Sequence, residues 1–230
     1  MTKLSENLPI EEARERLRQL ISELAVVRGH VVLASGKEAD YYVDLRRITL
    51  HHEASRLVGQ VMLDLLDKNG IEFEAAGGLT MGADPVGTAI MRAAGDQDRA
   101  IDAFVVRKAQ KSYGMGRQVE GPSVEGRRVV AVEDTSTTGG SALTAVEALR
   151  KAGAEVVAVA VIVDRATGAK EHVEEVADAN HRSGLRSLSA HSRTLPGSSN
   201  QYSLSIGMSS YSTIEARAAS VQFSGFMLQK

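Results

Sequence analysis

Val129-Val130-Ala131-Val132-Glu133-Asp134-Thr135-Ser136-Thr137-Thr138-Gly139-Gly140-Ser141 is the stretch that decides the fold. Its apolar opening reads as a strand buried on both faces, and it runs directly into paired acids, hydroxyl residues and glycines. Downstream, Ala142, Leu143, Ala145, Val146, Leu149 and Ala152 recur at helical spacing until Gly153 ends the segment. Strand, turn and helix make an α/β unit, and ligands of such units gather beyond the strand C-termini. Glu133 and Asp134 stand at that edge, where carboxylates accept hydrogen bonds from sugar hydroxyls. Thr135 through Ser141 read as a turn whose backbone N–H groups face a phosphate, with the helix starting at Ser141. The bland alternative is an ordinary strand-to-helix turn with acidic and hydroxyl residues at its cap.

The same rhythm extends outward. Phe73 to Leu79, Ala103 to Val106 and Val156 to Val163 are further strand-like stretches separated by helical patterns, which predicts a mostly parallel sheet with its core over roughly 70 to 165. The first of them feeds the loop Thr80-Met81-Gly82-Ala83-Asp84, and Pro85 sits near the start of the next helix, where its missing N–H costs little. Glu53 to Asp67 carries Leu57, Val58, Val61, Met62, Leu65 and Leu66 at helical spacing. Upstream, Ile10 to Leu24 reads as an amphipathic helix, and short strands at Val26 to Leu33 and Tyr41 to Leu45 enclose the turn Ser35-Gly36-Lys37, giving a small N-terminal flap. Arg107 to Gly116 combine charge and glycine and read as a lid. Beyond about residue 180 the pattern fades: Glu215 is the only acid from Asn180 to Lys230, and no period persists. A pairing segment there is expected around Gln201 to Ile206 or Ala219 to Phe223.

Composition narrows the function classes. The chain has 230 residues and 43% hydrophobic content, enough for a sizeable core. A formal charge of −2 argues against a nucleic-acid partner, and the lack of any continuous apolar run of membrane-spanning length argues against a membrane. The first 25 residues lack the apolar centre of a signal peptide, and zero cysteines exclude thiolate catalysis and suit a reducing compartment, so a cytoplasmic location is expected. Ser141 has no nucleophile-elbow pattern around it, and Gly139-Gly140-Ser141 lacks the lysine of a nucleotide-triphosphate loop. His51 and His52 are adjacent and point differently, which favours capping or packing over a metal site.

What remains suits phosphoribosyl transfer. Glu133 and Asp134 grip ribose hydroxyls, or water on a magnesium ion, while Arg107, Lys108 and Lys111 offset phosphate charge. As a diphosphate leaves, the sugar carbon becomes cation-like and the leaving group gains charge, so cations around it stabilise the transition state more than the ground state.

These motifs, in this order over about residues 20 to 175, resemble the orotate phosphoribosyltransferases within the type I phosphoribosyltransferases. The resemblance is carried by Leu33-Ala34-Ser35-Gly36-Lys37, Asp40-Tyr41-Tyr42-Val43-Asp44, Gly77 to Pro85, Val106-Arg107-Lys108 with Lys111 and Gly114, the acidic phosphate loop, and Val163-Asp164-Arg165. It implies a type I phosphoribosyltransferase-like α/β fold: a central, mostly parallel sheet, flanking helices and a small N-terminal flap, or hood. Residues 1–175 would form a single domain in which 20–50 contribute the base-binding hood, and 176–230 an atypical, irregular or disordered C-terminal segment. The implied substrates are orotate and phosphoribosyl diphosphate, and the implied product is orotidine 5′-monophosphate.

The resemblance also distributes roles. Glu133, Asp134, Thr135, Ser136, Thr137, Thr138, Gly139, Gly140 and Ser141 would bind the ribose phosphate. Met81, Gly82 and Ala83 would lie near the diphosphate, which Arg107, Lys108, Lys111 and Tyr113 would contact. Thr137, Arg165 and Lys37 would hold orotate. Lys111 would be the catalytic lysine, acting electrostatically across a homodimer interface, with Asp134 as the second catalytic group. Magnesium is the implied cofactor; no direct protein ligand follows, although Asp134 would reach it through water. Tyr113 stands where many relatives have a lid histidine, and Ala34 where some have lysine. Alternatives are transfer to another nucleobase and a nucleotide-sensing regulator without catalysis.

Overall fold

The computed structural model describes residues 7–32, 38–109, 117–165, 169, 172–173 and 205–209. The deciding strand, β6 (Arg128–Ser136), lies inside a six-stranded sheet. Its neighbours are β3 (Ala75–Leu79), β4 (Asp102–Val106), β5 (Val119–Glu120), β7 (Glu155–Asp164) and β8 (Ser205–Ser209), in the order β5-β4-β3-β6-β7-β8. The pairings β4–β3, β3–β6 and β6–β7 are parallel, whereas the edge strands β5 and β8 pair antiparallel. This is the mostly parallel sheet that the buried apolar runs predict.

Alternation along the strands sorts side chains onto two faces. Val130 and Val132 of β6 join a core with α1 (Ile10–Leu20), α3 (Ala54–Lys68) and α4 (Ala83–Gly95), whereas Val129 and Ala131 pack with α5 (Gly140–Lys151). Helices therefore cover both faces, as an α/β fold requires.

Three boundaries differ from the sequence reading. The core is not confined to 70–165: Leu17, Ile21, Leu45 and Ile48 are fully buried in the same cluster as the sheet, because α1 packs on α3 and the short α2 (Arg46–Thr49) fills beneath. The buried Arg14 of α1 pairs with Asp64 of α3 across that contact. Secondly, β6 continues through Thr135 and Ser136, which pair with Val163 and Asp164, so the turn begins at Thr137 rather than Thr135. Thirdly, α5 starts at Gly140, one residue before Ser141.

The hood is the antiparallel pair β1 (Val26–Val32) and β2 (Glu38–Val43), joined to the body where Asp44 N donates to Ala25 O at 2.9 Å. The Ser35-Gly36-Lys37 turn lies outside the described residues. In the C-terminal part, Ser205–Ser209 adds to β7 and overlaps the window expected at Gln201 to Ile206; the window at Ala219 to Phe223 lies outside the described residues.

Gly59 lets α3 cross α4 closely. A Cβ there would stand 2.2 Å from the Ala89 carbonyl oxygen. Helix propensity alone would make Gly59→Ala stabilising by about 1 kcal/mol. The backbone clash outweighs it, and we expect net destabilisation of roughly 1–3 kcal/mol. A lowered urea midpoint checks this; an unchanged or raised one contradicts the close crossing.

Candidate active site

Parallel register brings four strand ends to one level. Leu79 pairs with Val106, Gly77 with Ala131, and Ser136 with Asp164, so the segments leaving β3, β4, β6 and β7 meet at the sheet's C-terminal edge. There they enclose a cavity of about 340 Å³. The turn after β3 contributes Thr80 to Ala83, β4 leads to Lys108, β6 supplies Glu133 to Thr135 with Thr137, α5 supplies Ser141, and β7 leads to Arg165. The Tyr42–Arg46 segment forms the remaining wall. Arg165 N donates to Ser136 O at 3.0 Å and Thr80 N to Val106 O at 2.9 Å, which fixes both loops to the sheet.

The acids occupy a desolvated edge. Burial pushes the Glu133 carboxyl up to about 7, the neighbouring Asp134 charge adds to the rise, and the Ser141 and Ser136 hydroxyls pull it back. Glu133 Oε2 and Thr135 Oγ1 are both buried without a hydrogen-bond partner. Buried polar atoms left unpaired are costly, and in a cavity wall they point to a polar ligand. Asp134 is also raised, chiefly by burial, while its Oδ1 accepts from Thr135 N at 2.8 Å.

Two glycines shape the walls. A Cβ on Gly82 would lie 2.5 Å from Asp134 Oδ1, so a larger residue there would have to displace that carboxylate; the Thr80–Met81 peptide within the turn is cis. Gly139 is the N-cap of α5 at φ 76°, and a Cβ there would meet Val173 at 2.6 Å. The loop is held further by a 2.6 Å contact between His172 Nδ1 and Thr138 O. The first-turn N–H groups of α5 have no partner within the helix, and the helix dipole adds positive potential there, which favours an anion.

The candidates from sequence divide. Lys108, Met81, Gly82, Ala83, Glu133, Asp134, Thr135, Thr137, Ser141 and Arg165 line one cavity; Ser136, Thr138, Gly139 and Gly140 shape the loop behind it. Arg107 is not in the wall: its guanidinium stands 3.8 Å from Glu120 of β5. Lys37, Lys111 and Tyr113 lie outside the described residues. Sequence reasoning gave no role to Arg46, although its signal was present as a charged pair, Asp44 and Arg46, just after the double tyrosine. His51 caps α3, its Nδ1 accepting from Ala54 N at 3.3 Å. Among the described residues, no group of three or more histidines and acids is arranged to hold a metal.

The pattern of the phosphoribosyl transferase domain matches residues 73–183. The orotate phosphoribosyltransferase of Streptomyces avermitilis is 62% identical over 173 residues, spanning 75% of this chain and 94% of that protein. The chain belongs to the orotate phosphoribosyltransferase family. The crystal structure of the Mycobacterium tuberculosis orotate phosphoribosyltransferase with Fe(III) dicitrate is 58% identical, with a TM-score of 0.65 over 71% of this chain and 91% of that one. The same enzyme in complex with 5-phospho-α-D-ribosyl 1-diphosphate matches with 54% identity, a TM-score of 0.61 and coverage of 71% and 90%. The fold is accordingly that of the type I phosphoribosyltransferases. The enzyme transfers a phosphoribosyl group from phosphoribosyl diphosphate to orotate, giving orotidine 5′-monophosphate and diphosphate in UMP biosynthesis.

Glu133 links site and stability. Between its unfolded value of 4.5 and its folded value of about 7 the native state holds a proton that the unfolded chain has released. Stability therefore falls as pH rises through this window, by on the order of 3 kcal/mol from this group. We expect Glu133→Gln to flatten that part of the curve for the ligand-free protein. Parallel urea titrations at pH 4.5, 6 and 8 check it; equal slopes for variant and wild type would contradict a desolvated Glu133.

Proposed function

We propose that the cavity binds phosphoribosyl diphosphate with its ribose on Glu133 and Asp134, its 5-phosphate on the 135–141 segment, and its diphosphate beside the Thr80–Ala83 turn and Lys108. The observation that carries this reading is the pair of buried, unpartnered oxygens on Glu133 and Thr135, set between a helix N-terminus and cationic side chains. Ribose hydroxyls donate to the carboxylates, and ionised Glu133 gains by hydrogen bonding what it loses by desolvation. Orotate lies toward Thr137 and Arg165, whose guanidinium matches a carboxylate, with Lys37 on the hood as a further contact.

In the reaction the bond from the anomeric carbon to the diphosphate oxygen breaks, a bond to the orotate ring nitrogen forms, and the proton of that N–H passes to the departing diphosphate or to solvent. Positive charge grows on the sugar ring and negative charge on the leaving diphosphate. Lys108 and Lys111 stabilise the second, and the acids beside the ribose the first. Lys111 acts from the lid of a second subunit in a homodimer, with Tyr113 as a neutral hydrogen-bond donor. Arg107 joins the diphosphate side by exchanging Glu120 for phosphate.

Magnesium fits this donor set. Hard oxygens from Asp134 and Glu133, together with substrate oxygens and water, suit an ion that keeps several waters and rarely takes an all-protein cage. Bound there, it would neutralise diphosphate charge. Asp134 would hold it through water. The residues assigned to catalysis fall within 1–175, and Ser205–Ser209 adds an edge strand to the same sheet. No helix among the described residues is long and apolar enough to cross a membrane, and we place the enzyme in the cytoplasm.

Loss of orotate absorbance in the presence of phosphoribosyl diphosphate and magnesium tests the reading, with uracil and hypoxanthine as base controls. Turnover is expected with orotate alone. In that assay Lys111→Ala should lower kcat by on the order of a hundredfold with a small change in phosphoribosyl diphosphate KM, because the lysine serves charge that develops in the transition state. Unchanged kcat with a raised KM would remove that role. Arg165→Ala should raise the orotate KM roughly tenfold or more while leaving that of phosphoribosyl diphosphate within about twofold. An unaltered orotate saturation curve would contradict the assignment.

A further inference from the structure

We propose that Arg46 is a diphosphate-binding residue of this site, held in readiness by Asp44. The inference rests on the phosphoribosyl transfer described above and adds a cation to its leaving-group side. Asp44 Oδ1 accepts from Arg46 Nε at 2.8 Å and from the Arg46 backbone N at 3.2 Å. One edge of the guanidinium is thereby fixed. The other edge, Nη1 and Nη2, has no hydrogen-bond partner among the described residues, and the side chain is 46% exposed while lining the cavity.

The anchoring of Arg46 is stiff. Asp44 N is tied to Ala25 O, Arg47 Nη1 donates to Leu24 O at 3.0 Å, and the following Ile48 is fully buried. An arginine paired with an acid two residues away on an open surface contributes little to stability and needs no such support. Here the pairing orients a planar donor fork toward the cavity, which lowers the entropy lost when an anion is bound.

Position decides which anion. Arg46 opens α2, and α2 packs against α4, whose first residue, Ala83, ends the turn after β3. Lys108 leaves β4 on the other side of β3. Arg46, Lys108 and the Thr80–Ala83 turn, where the diphosphate is placed, line the same cavity. Arg165 leaves β7, across β6, on the side assigned to orotate.

The test is steady-state kinetics with product inhibition by inorganic diphosphate. Arg46→Ala should raise both the phosphoribosyl diphosphate KM and the diphosphate inhibition constant by roughly tenfold to a hundredfold, the scale of a lost charged hydrogen bond, with the orotate KM within about twofold. Arg46→Lys, which keeps charge but loses the fork, should fall between. Asp44→Asn should shift the same two constants less. Melting curves confirm folding, and if Arg46→Ala does not fold, Arg46→Gln decides by the same constants. Unchanged diphosphate inhibition, or a raised orotate KM alone, would overturn the proposal. Absence of orotate turnover in the wild-type chain would instead remove the functional reading beneath it.

Discussion

Parallel pairing of β6 with β3 on one side and β7 on the other is the constraint from which the rest follows. Parallel strands must all end at the same edge, and their connections must cross over through helices, so every loop after a strand is delivered to one rim. Because β6 is buried on both faces by small apolar residues, helices approach closely from either side, and a slip in register would exchange the two packed faces and carry Glu133 away from the rim. The acids at its end are thus placed by a rigid element. Loops that supply Lys108, Arg165 and the Thr80–Ala83 turn inherit that precision through backbone hydrogen bonds to the sheet.

Close approach at single glycines completes the geometry. Gly78 faces the Val132 carbonyl oxygen at 2.1 Å from any Cβ, and Gly82 faces Asp134 at 2.5 Å. A side chain at either point would push β3 and its turn away from β6, separating the proposed diphosphate wall from the ribose wall. Glycine here is a spacer set by distance, since neither residue has a positive φ. Gly139 differs: its left-handed backbone forms the turn from which α5 starts, beside the cavity that Ser141 lines.

Legibility in the sequence followed how local each signal was. The β6 to α5 unit was readable because a continuous apolar run, a glycine pair and a helical period sit within one short window. Its end was misjudged by two residues because Thr135 and Ser136 look like turn formers, yet their pairing with Val163 and Asp164 depends on a strand distant in sequence. Inclusion of α1 in the core escaped notice for a similar reason. Leu17 and Ile21 give the helix an apolar face, but only tertiary packing on α3 says what that face meets. An arginine two residues from an aspartate reads in the sequence as surface charge, which hides the place of Arg46. Its significance lies in the cavity wall that the hood and α2 build around it. Arg107 shows the converse, since the basic run before the lid does not reveal that β5 would bring Glu120 to within 3.8 Å.

A site in which burial raises both Glu133 and Asp134 is poorly satisfied by its own protein. Replacing that edge with apolar residues would relieve desolvation, but it would also remove acceptors for sugar hydroxyls. The orphaned Oε2 and Oγ1 atoms are therefore a built-in difference between empty and occupied states. A ligand that donates hydrogen bonds to them recovers part of the folding free energy forgone in the empty protein, so binding and stability are linked through the same atoms. Cations on the cavity wall act in the same direction, since they favour the ionised carboxyls as well as the phosphate groups. On the proposed reading, substrate recognition completes a polar network that the fold leaves open at the end of β6.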